Sequence, residues 1–240
     1  MIGKIARLVR NNGWYLAAVI VLQEVQIRLH SAFLARRLGV RKLRIEPGSR
    51  LRGLRHISVG ENLGAGRGLW LEAITFHRGR SYDPQIVIGD NVWMSNSVTI
   101  TATTSVHIGS GVLIASKVLI TDHQHGNYQD NHQDDISDPS IPPAKRRLTA
   151  GRKVSIGDNV WLGDGVVVMP DVSIGEGSII GANSVVTRNI AAFTIAAGAP
   201  ARPLKKYDPE RRVWRTVVPL SSAKQESAKE EECGARHQRA

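Results

Sequence analysis

The residues whose type and spacing best suit chemistry are two histidines that lie two positions apart, His123 and His125. A neutral imidazole can take a proton near neutral pH, which makes histidine the commonest general base in enzymes. Asp122 precedes the first histidine and is a candidate to orient an imidazole, although neighbouring residues on a strand point to opposite faces. His125 could contact a substrate, share the acid–base work or simply be solvated. The stretch therefore predicts a proton-transfer site, with a structural loop histidine as the alternative.

Other kinds of site find little support in the sequence. Cys233 is the single cysteine, so no disulfide framework can form within the chain, and a reducing compartment is expected. The sequence contains no Gly-rich phosphate loop, no dinucleotide fingerprint and no cysteine-based metal motif. We therefore expect no metal.

The elements that must position the two histidines follow a six-residue period. Such a period matches neither a helix nor a hairpin, and it demands a short strand followed by a corner. The pattern is interrupted over residues 74–86 and again for about 30 residues after Ile120, and loops of that length are usually functional. The aliphatic residues in phase are Ile88, Met94, Ile100, Ile108, Ile114, Ile120, Ile156, Leu162, Val168, Ile174, Ile180 and Val186.

Over roughly residues 45–205 this pattern resembles the hexapeptide-repeat acyltransferases, in particular the galactoside and maltose O-acetyltransferases and those of polysaccharide biosynthesis. The resemblance implies an all-β fold, a left-handed parallel β-helix in which about 18 residues complete one coil. We expect a helical segment at residues 1–44, the β-helix at 45–205 with a long loop at 122–153, and an extension at 206–240. The extension has few apolar residues after about residue 220 and should be disordered there.

The resemblance also assigns roles to particular residues. A histidine in a Thr-x-His context just before the long loop is the general base in this family, and His123 matches it. The motifs at 156–163, 180–188 and 197–203 resemble the CoA-binding end, where small residues leave room for the pantetheine arm and basic residues meet phosphates. A polar residue two coils before the loop binds the acceptor, which assigns that role to Asn96. The residues assigned to CoA are Trp161, Gly163, Gly181, Ala182, Arg188 and Arg202.

The implied activity is transfer of an acetyl group from acetyl-CoA to a sugar hydroxyl in exopolysaccharide or lipopolysaccharide biosynthesis. The acceptor would attack the thioester directly, in an active site shared between the subunits of a homotrimer. An N-acetyltransferase acting on an amino sugar or serine would use His123 equally well, and some proteins with this repeat are non-catalytic scaffolds. The γ-class carbonic anhydrases share the fold, but their third zinc-binding histidine falls where this chain has Tyr128.

The N-terminal segment carries most of the net charge of +11, because residues 1–56 hold twelve Lys and Arg against two acids. A helical stripe of apolar residues runs through it, at Trp14, Ala18, Val21, Leu22, Val25, Leu29 and Phe33. The segment could cap the open end of the β-helix, lie on an anionic membrane, or do both. No nucleic-acid-binding module accompanies the basic residues, so no nucleic acid is expected.

The apolar run at 14–22 is too short to span a membrane, which takes about 20 apolar residues, and Gln23, Glu24, Gln26 and Arg28 follow it. No cleavage site for a secretory signal follows either. We therefore expect a cytoplasmic enzyme. If residues 1–44 contact lipid, it would lie at the inner face of the membrane, where a lipid-linked glycan acceptor would be displayed.

Overall fold

The computed structural model describes residues 2–128 and 138–217. It opens with one long helix, α1 (Ile2–Leu38), which is interrupted at Gly13, where φ is 75° and ψ is 163°. Short 3₁₀ turns lie at Leu54–His56 and Pro143–Lys145. The residues predicted to be disordered after about 220, and Cys233, lie outside the described residues.

The remainder of the described chain is a succession of short strands. In chain order they are β1 (Leu43–Ile45), β2 (Arg50–Arg52), β3 (Ile57–Val59), β4 (Leu63–Ala65), β5 (Trp70–Ala73), β6 (Phe76–His77), β7 (Arg80–Ser81), β8 (Gln85–Ile88), β9 (Trp93–Met94), β10 (Thr99–Ala102), β11 (Ser105–Ile108), β12 (Leu113–Ile114), β13 (Leu119–Thr121), β14 (Lys153–Ile156), β15 (Trp161–Leu162), β16 (Val167–Val168), β17 (Ser173–Ile174), β18 (Ile179–Ile180), β19 (Val185–Val186), β20 (Thr194–Gly198), β21 (Ala201–Asp208) and β22 (Val213–Thr216).

Eighteen of these strands form three parallel sheets that the chain visits in rotation. Sheet A has the order β1-β4-β9-β12-β15-β18-β20, sheet B the order β2-β5-β10-β13-β16-β19, and sheet C the order β3-β8-β11-β14-β17. Each circuit through A, B and C is one coil, and a strand inside a sheet pairs with its equivalents in the coils above and below. The parallel β-helix that the family resemblance implies is thus present, and the left-handed sense of its coiling stays a prediction.

The aliphatic residues of the six-residue period point inward and form a continuous core. Stacked columns such as Ile100, Ile120 and Val168 are in register across sheet B and are fully buried. Backbones of successive coils approach so closely at the corners that a side chain does not fit. A Cβ on Gly163 would lie 2.7 Å from the amide nitrogen of Ala182 in the next coil. The glycine that follows an aliphatic residue in the repeat is therefore required by the stacking.

Both interruptions of the repeat leave the β-helix at one place, the turn from sheet B to sheet C. We call this turn the B–C corner; it comprises residues 74–84, 103–104 and 122–152 in three successive coils. The first interruption is an antiparallel hairpin of β6 and β7, where the sequence predicted only a loop. The second begins directly after β13 and returns to the helix at β14. The middle coil crosses the same corner with two residues between β10 and β11.

Helix α1 packs across the end of the first coil through its C-terminal half. Ser31 exchanges two hydrogen bonds with the backbone of Ile45, and Arg44 makes a bidentate salt bridge with Glu24 at 2.8 and 3.0 Å. Leu34 joins the core of the β-helix. The polar groups that the first coil would otherwise expose at its edge are thus partly covered by the helix.

The apolar stripe predicted on α1 does not supply this packing face. Its members Leu22, Val25, Leu29 and Phe33 are exposed, Leu29 to 69%, while Ile27, Ser31, Leu34 and Ala35 are buried. At 100° per residue the two sets lie on opposite sides of the helix. The sequence predicted that the apolar run at 14–22 is too short to span a membrane, but the helix extends well beyond this run. By length and composition alone, residues Ala6–Leu38 would suffice to cross one.

Beyond sheet A the chain reverses direction. β21 pairs antiparallel with β20, and β22 pairs antiparallel with β21. Tyr207 and Trp214 pack together on this extension, with ring centroids 5.3 Å apart. The segment from 206 to 217 is therefore ordered strand and turn that continues the sheet.

Candidate functional site

His123 and Asp122 form a hydrogen-bonded pair at the B–C corner. Nδ1 of His123 lies 2.9 Å from Oδ1 of Asp122, and the hydroxyl of Thr121 lies 3.2 Å from the same nitrogen. Adjacent residues on a strand would point to opposite faces, but β13 ends at Thr121 and the chain bends at residue 122. Both side chains therefore turn to the same side.

Asp122 is fully buried and is held by the coil beneath it. Its two oxygens accept hydrogen bonds from the backbone amides of Thr103, Thr104 and Ser105, at 2.8, 2.7 and 2.7 Å. Three amides converging on one side chain fix its position, and charge-assisted bonds of this kind are stronger than neutral ones. The short turn between β10 and β11, together with the first residue of β11, thus fixes the carboxylate that orients His123.

This arrangement decides which nitrogen of His123 can act as a base. A carboxylate facing Nδ1 favours the tautomer with the proton on Nδ1, which leaves the lone pair on Nε2. The side chain keeps 11% of its surface exposed, so its outer edge can be reached. A base of this kind requires a hydroxyl within hydrogen-bonding reach of Nε2.

His125 lies beside a histidine that the sequence reading did not select, His77 of the β6–β7 hairpin. Their rings meet edge to face, with centroids 5.8 Å apart and planes at 71°. Burial lowers the pKa of the His77 imidazole below its usual range, and positive charge at His125, Arg78 and His123 acts in the same direction. The signal that could have found His77 is its place in the first interruption of the repeat, which leaves the same corner as the second.

The two interruptions are bound to each other and to the coil between them. The hydroxyl of Tyr82, after the hairpin, donates to the carbonyl of Leu148 at 3.1 Å, and the amide of Gly151 donates to the hydroxyl of Thr104 at 2.8 Å. His125 and Leu148 form an antiparallel bridge that joins the two ends of the long loop. The middle of that loop, residues 129–137, lies outside the described residues.

A polar cavity of about 460 Å³ adjoins this corner at the start of the sheet C strands. Its lining includes three basic side chains, those of Arg55, His56 and Lys153, and one carboxylate, that of Asp83. Asp83 lies 3.7 Å from the ring of His56. The excess of basic groups suits an anionic ligand.

Most of the residues assigned to CoA lie away from His123 within one chain. Trp161 is on the outer face of sheet A, and Gly163, Gly181 and Ala182 form the turn from sheet A to sheet B. Arg188 follows β19 at the B–C corner two coils beyond His123, about 10 Å along the axis at strand spacing. Arg202 is exposed on β21.

Asn96 also lies in the turn from sheet A to sheet B, and the structure does not bring it to His123 within one chain. Its side-chain oxygen accepts a hydrogen bond from the amide of Arg67 in the preceding coil, at 2.9 Å. This contact gives Asn96 a role in stacking the coils that needs no ligand. The glycine at position 163 is likewise explained by stacking without a ligand, because the next coil leaves no room for a side chain there.

An apolar column runs along the outer face of sheet A. Trp93, Leu113 and Trp161 are in register on successive strands and are each nearly half exposed, Trp161 to 48%. Ile179 and Ile195 continue the column. Such a contiguous exposed apolar face is typical of a protein–protein contact.

Within residues 2–128 and 138–217, no three His, Cys, Asp or Glu side chains are grouped as metal ligands. In the described part of the B–C corner, the side chains suited to proton transfer include the Asp122–His123 pair and the neighbouring His77 and His125.

Comparisons with known proteins agree with this description. Residues 153–188 match the family model for the bacterial transferase hexapeptide (six repeats). WbbJ of Escherichia coli, whose name assigns it to O-acetyl transfer in lipopolysaccharide biosynthesis, is 43% identical over 158 residues, which cover 66% of this chain and 76% of that protein.

A solved structure with a similar fold is AntD, an N-acyltransferase from Bacillus cereus. Its complex with dTDP and 3-hydroxybutyryl-CoA aligns over 81% of this chain and 89% of its own, with a TM-score of 0.55 and 19% identity. A variant of AntD bound to dTDP-4-amino-4,6-dideoxyglucose and coenzyme A gives a TM-score of 0.53 at 18% identity, over 80% of this chain and 90% of its own. At this level of identity the likeness concerns the fold.

Proposed function

The chain belongs to the hexapeptide-repeat acyltransferase family, and from this premise we propose that it is an acetyl-CoA-dependent O-acetyltransferase acting on a sugar hydroxyl in polysaccharide biosynthesis. The observation that carries the proposal is the Asp122–His123 pair at the place where the long loop leaves the β-helix. The 43% identity to a relative named for O-acetyl transfer in lipopolysaccharide biosynthesis supports the sugar acceptor. We take the coil to be left-handed, as the family resemblance implies.

In the proposed mechanism acetyl-CoA supplies the acetyl group as a thioester, and the acceptor hydroxyl attacks it directly. Nε2 of His123 takes the hydroxyl proton as the new C–O bond forms, and it later returns a proton to the departing thiolate as the C–S bond breaks. Asp122 stabilises the imidazolium that exists between these steps. No covalent intermediate with the enzyme is required.

The positions of the assigned residues favour an active site shared between copies of the chain. His123 lies at the B–C corner, whereas Trp161, Gly163 and Ala182 lie on sheet A or on the turn after it. We propose a homotrimer in which acetyl-CoA lies between the B–C corner of one copy and the sheet A side of the next. The apolar column of Trp93, Leu113 and Trp161 would be buried in that contact. Arg188 and Arg202 would bind the phosphates.

For the N-terminal helix we propose contact with the inner face of an anionic membrane, which would place a cytoplasmic enzyme next to a lipid-linked glycan. The stripe of Leu22, Val25, Leu29 and Phe33 faces away from the β-helix, and Arg36 and Arg37 end the helix. An interfacial helix combines these two features. The packing of Ser31 and Leu34 on the protein favours a helix that lies on the surface over one that spans the bilayer. The polar cavity lined by Arg55, His56 and Lys153 would suit a phosphate group of such an acceptor.

The proposed activity is tested by following release of free CoA thiol from acetyl-CoA against a panel of p-nitrophenyl glycosides and amino sugars. We expect transfer to at least one neutral glycoside and a loss of several orders of magnitude in kcat in His123→Ala with unchanged unfolding temperature. His107→Ala, an exposed histidine on the outer face of sheet C, is the matched control. Wild-type turnover in His123→Ala would overturn the assignment of the base.

A further inference from the structure

His77 has a buried nitrogen for which the described part of the protein provides no hydrogen-bond partner. The Nε2 atom of its ring is inaccessible to solvent and makes no hydrogen bond. Buried polar side-chain atoms are nearly always paired, because an unmet hydrogen bond costs free energy. An unpaired nitrogen in a candidate site therefore indicates a group that binds there during function.

The surroundings of His77 place this nitrogen at the proposed active site. Its ring packs edge to face on His125, two residues beyond His123. Tyr82 makes two hydrogen bonds that hold this hairpin: its amide donates to the carbonyl of Thr75 across the base of the hairpin, and its hydroxyl donates to the carbonyl of Leu148. The position of His77 is thus set by the base of the hairpin and by the end of the long loop.

The environment also favours the neutral form of the His77 ring. Burial lowers its pKa, and the nearby basic groups His125, Arg78 and His123 lower it further. A neutral imidazole both donates and accepts one hydrogen bond, which suits a hydroxyl group. It is poorly suited to an anion, which would favour the protonated ring.

We propose that His77 is an acceptor-binding residue whose Nε2 hydrogen-bonds a second hydroxyl of the sugar whose first hydroxyl His123 deprotonates. The inference rests on the proposed function and narrows it to an acceptor with at least two hydroxyls within reach of the B–C corner. The hairpin of β6 and β7 then contributes to specificity.

The test measures acceptor and acetyl-CoA kinetics in His77→Phe with the best p-nitrophenyl glycoside of the panel. Phe keeps the aromatic contact with His125 and removes the nitrogen. We expect KM for the glycoside to rise about tenfold or more, because the variant loses one hydrogen bond to a buried partner. KM for acetyl-CoA should not change. His107→Phe should leave both KM values unchanged.

A second pair of variants guards against a folding defect. His77→Gln places an amide near the position of Nε2, whereas the shorter amide of His77→Asn reaches only the position of Nδ1. We expect Gln, and not Asn, to keep a KM for the glycoside near that of the wild type. Equal KM values for the glycoside in wild type, His77→Phe and His77→Asn would overturn this inference and leave the proposed function standing. A wild-type enzyme that acetylates no glycoside would overturn the proposed function, and the inference with it.

Discussion

The carboxylate of Asp122 holds the imidazole of the residue directly after it, with 2.9 Å between Oδ1 and Nδ1 of His123. Adjacent residues can make this contact because strand β13 has ended, and the three amides of the coil below fix the carboxylate in place. The carboxylate and the proposed base thus belong to adjacent residues of the chain.

Asp122→Asn should impair the chemistry and the local fold together. The amide can present only one acceptor oxygen to three backbone donors, and it favours the wrong tautomer of His123. We expect kcat to fall about 100-fold or more with a smaller change in KM, and the free energy of unfolding to fall by roughly 2 kcal/mol. Steady-state kinetics and urea unfolding measure the two effects.

The control for this variant is Asp90→Asn. Asp90 also accepts a backbone amide at a coil corner, that of Glu61 at 2.7 Å, but it is exposed and lies away from His123. Its kcat should stay at the wild-type value. A normal kcat in Asp122→Asn would show that His123 needs no carboxylate.

The lowered pKa of His77 predicts a pH dependence of stability. The unfolded chain binds a proton at this residue as pH falls through about 6.5, while the folded chain resists protonation. The unfolded state then binds more protons, so stability is full above about pH 6.5 and falls as the pH drops towards the folded-state value.

His77→Phe lacks this contribution and should lose less stability on acidification. Thermal unfolding of both proteins at pH 7.5 and pH 5.5 gives the comparison. The drop in midpoint should be larger for the wild type. An equal drop would mean that His77 titrates alike in the folded and unfolded states.

Leu113→Asp should separate the copies of the chain. Leu113 lies in the middle of the apolar column on sheet A, between Trp93 and Trp161, and a carboxylate there would be desolvated on association. We expect the proposed trimer to dissociate to monomers in light scattering, with circular dichroism preserved and acetyl transfer lost. His107→Asp places the same charge on the outer face of sheet C and should remain trimeric and active.

Leu29→Gln should weaken binding to vesicles that contain anionic lipid. Leu29 is exposed on the side of α1 opposite the β-helix. Without its burial in the membrane interface, the free energy of binding to the vesicle weakens by roughly 1.5–3 kcal/mol. Co-sedimentation should show a fall of about tenfold or more in the partition coefficient. Gln23→Ala, beside the stripe, should bind normally. Undiminished binding by Leu29→Gln would remove the stripe from the membrane contact.

The family resemblance implied the parallel β-helix, and the six-residue period marked which aliphatic residues, such as Ile120, are buried in its core. It also marked both interruptions. The period could not show that these leave one corner and meet at His77 and His125, because that contact joins segments about 50 residues apart. Nor could it show which side of α1 packs, since Leu29 and Leu34 are equally apolar and only the tertiary contact distinguishes them.

Lengthening the chain at the B–C corner leaves the rest of the stack unchanged. Ile100 pairs with Ile120 and Ile120 with Val168, so the rungs on either side of the long loop remain aligned as if nothing had been inserted. The hairpin and the loop can therefore each be lengthened, shortened or exchanged during evolution without a change in the packing of the core. Because the proposed catalytic pair is held by the coils, beside segments that can vary in length, the choice of acceptor can change through alterations at this single corner.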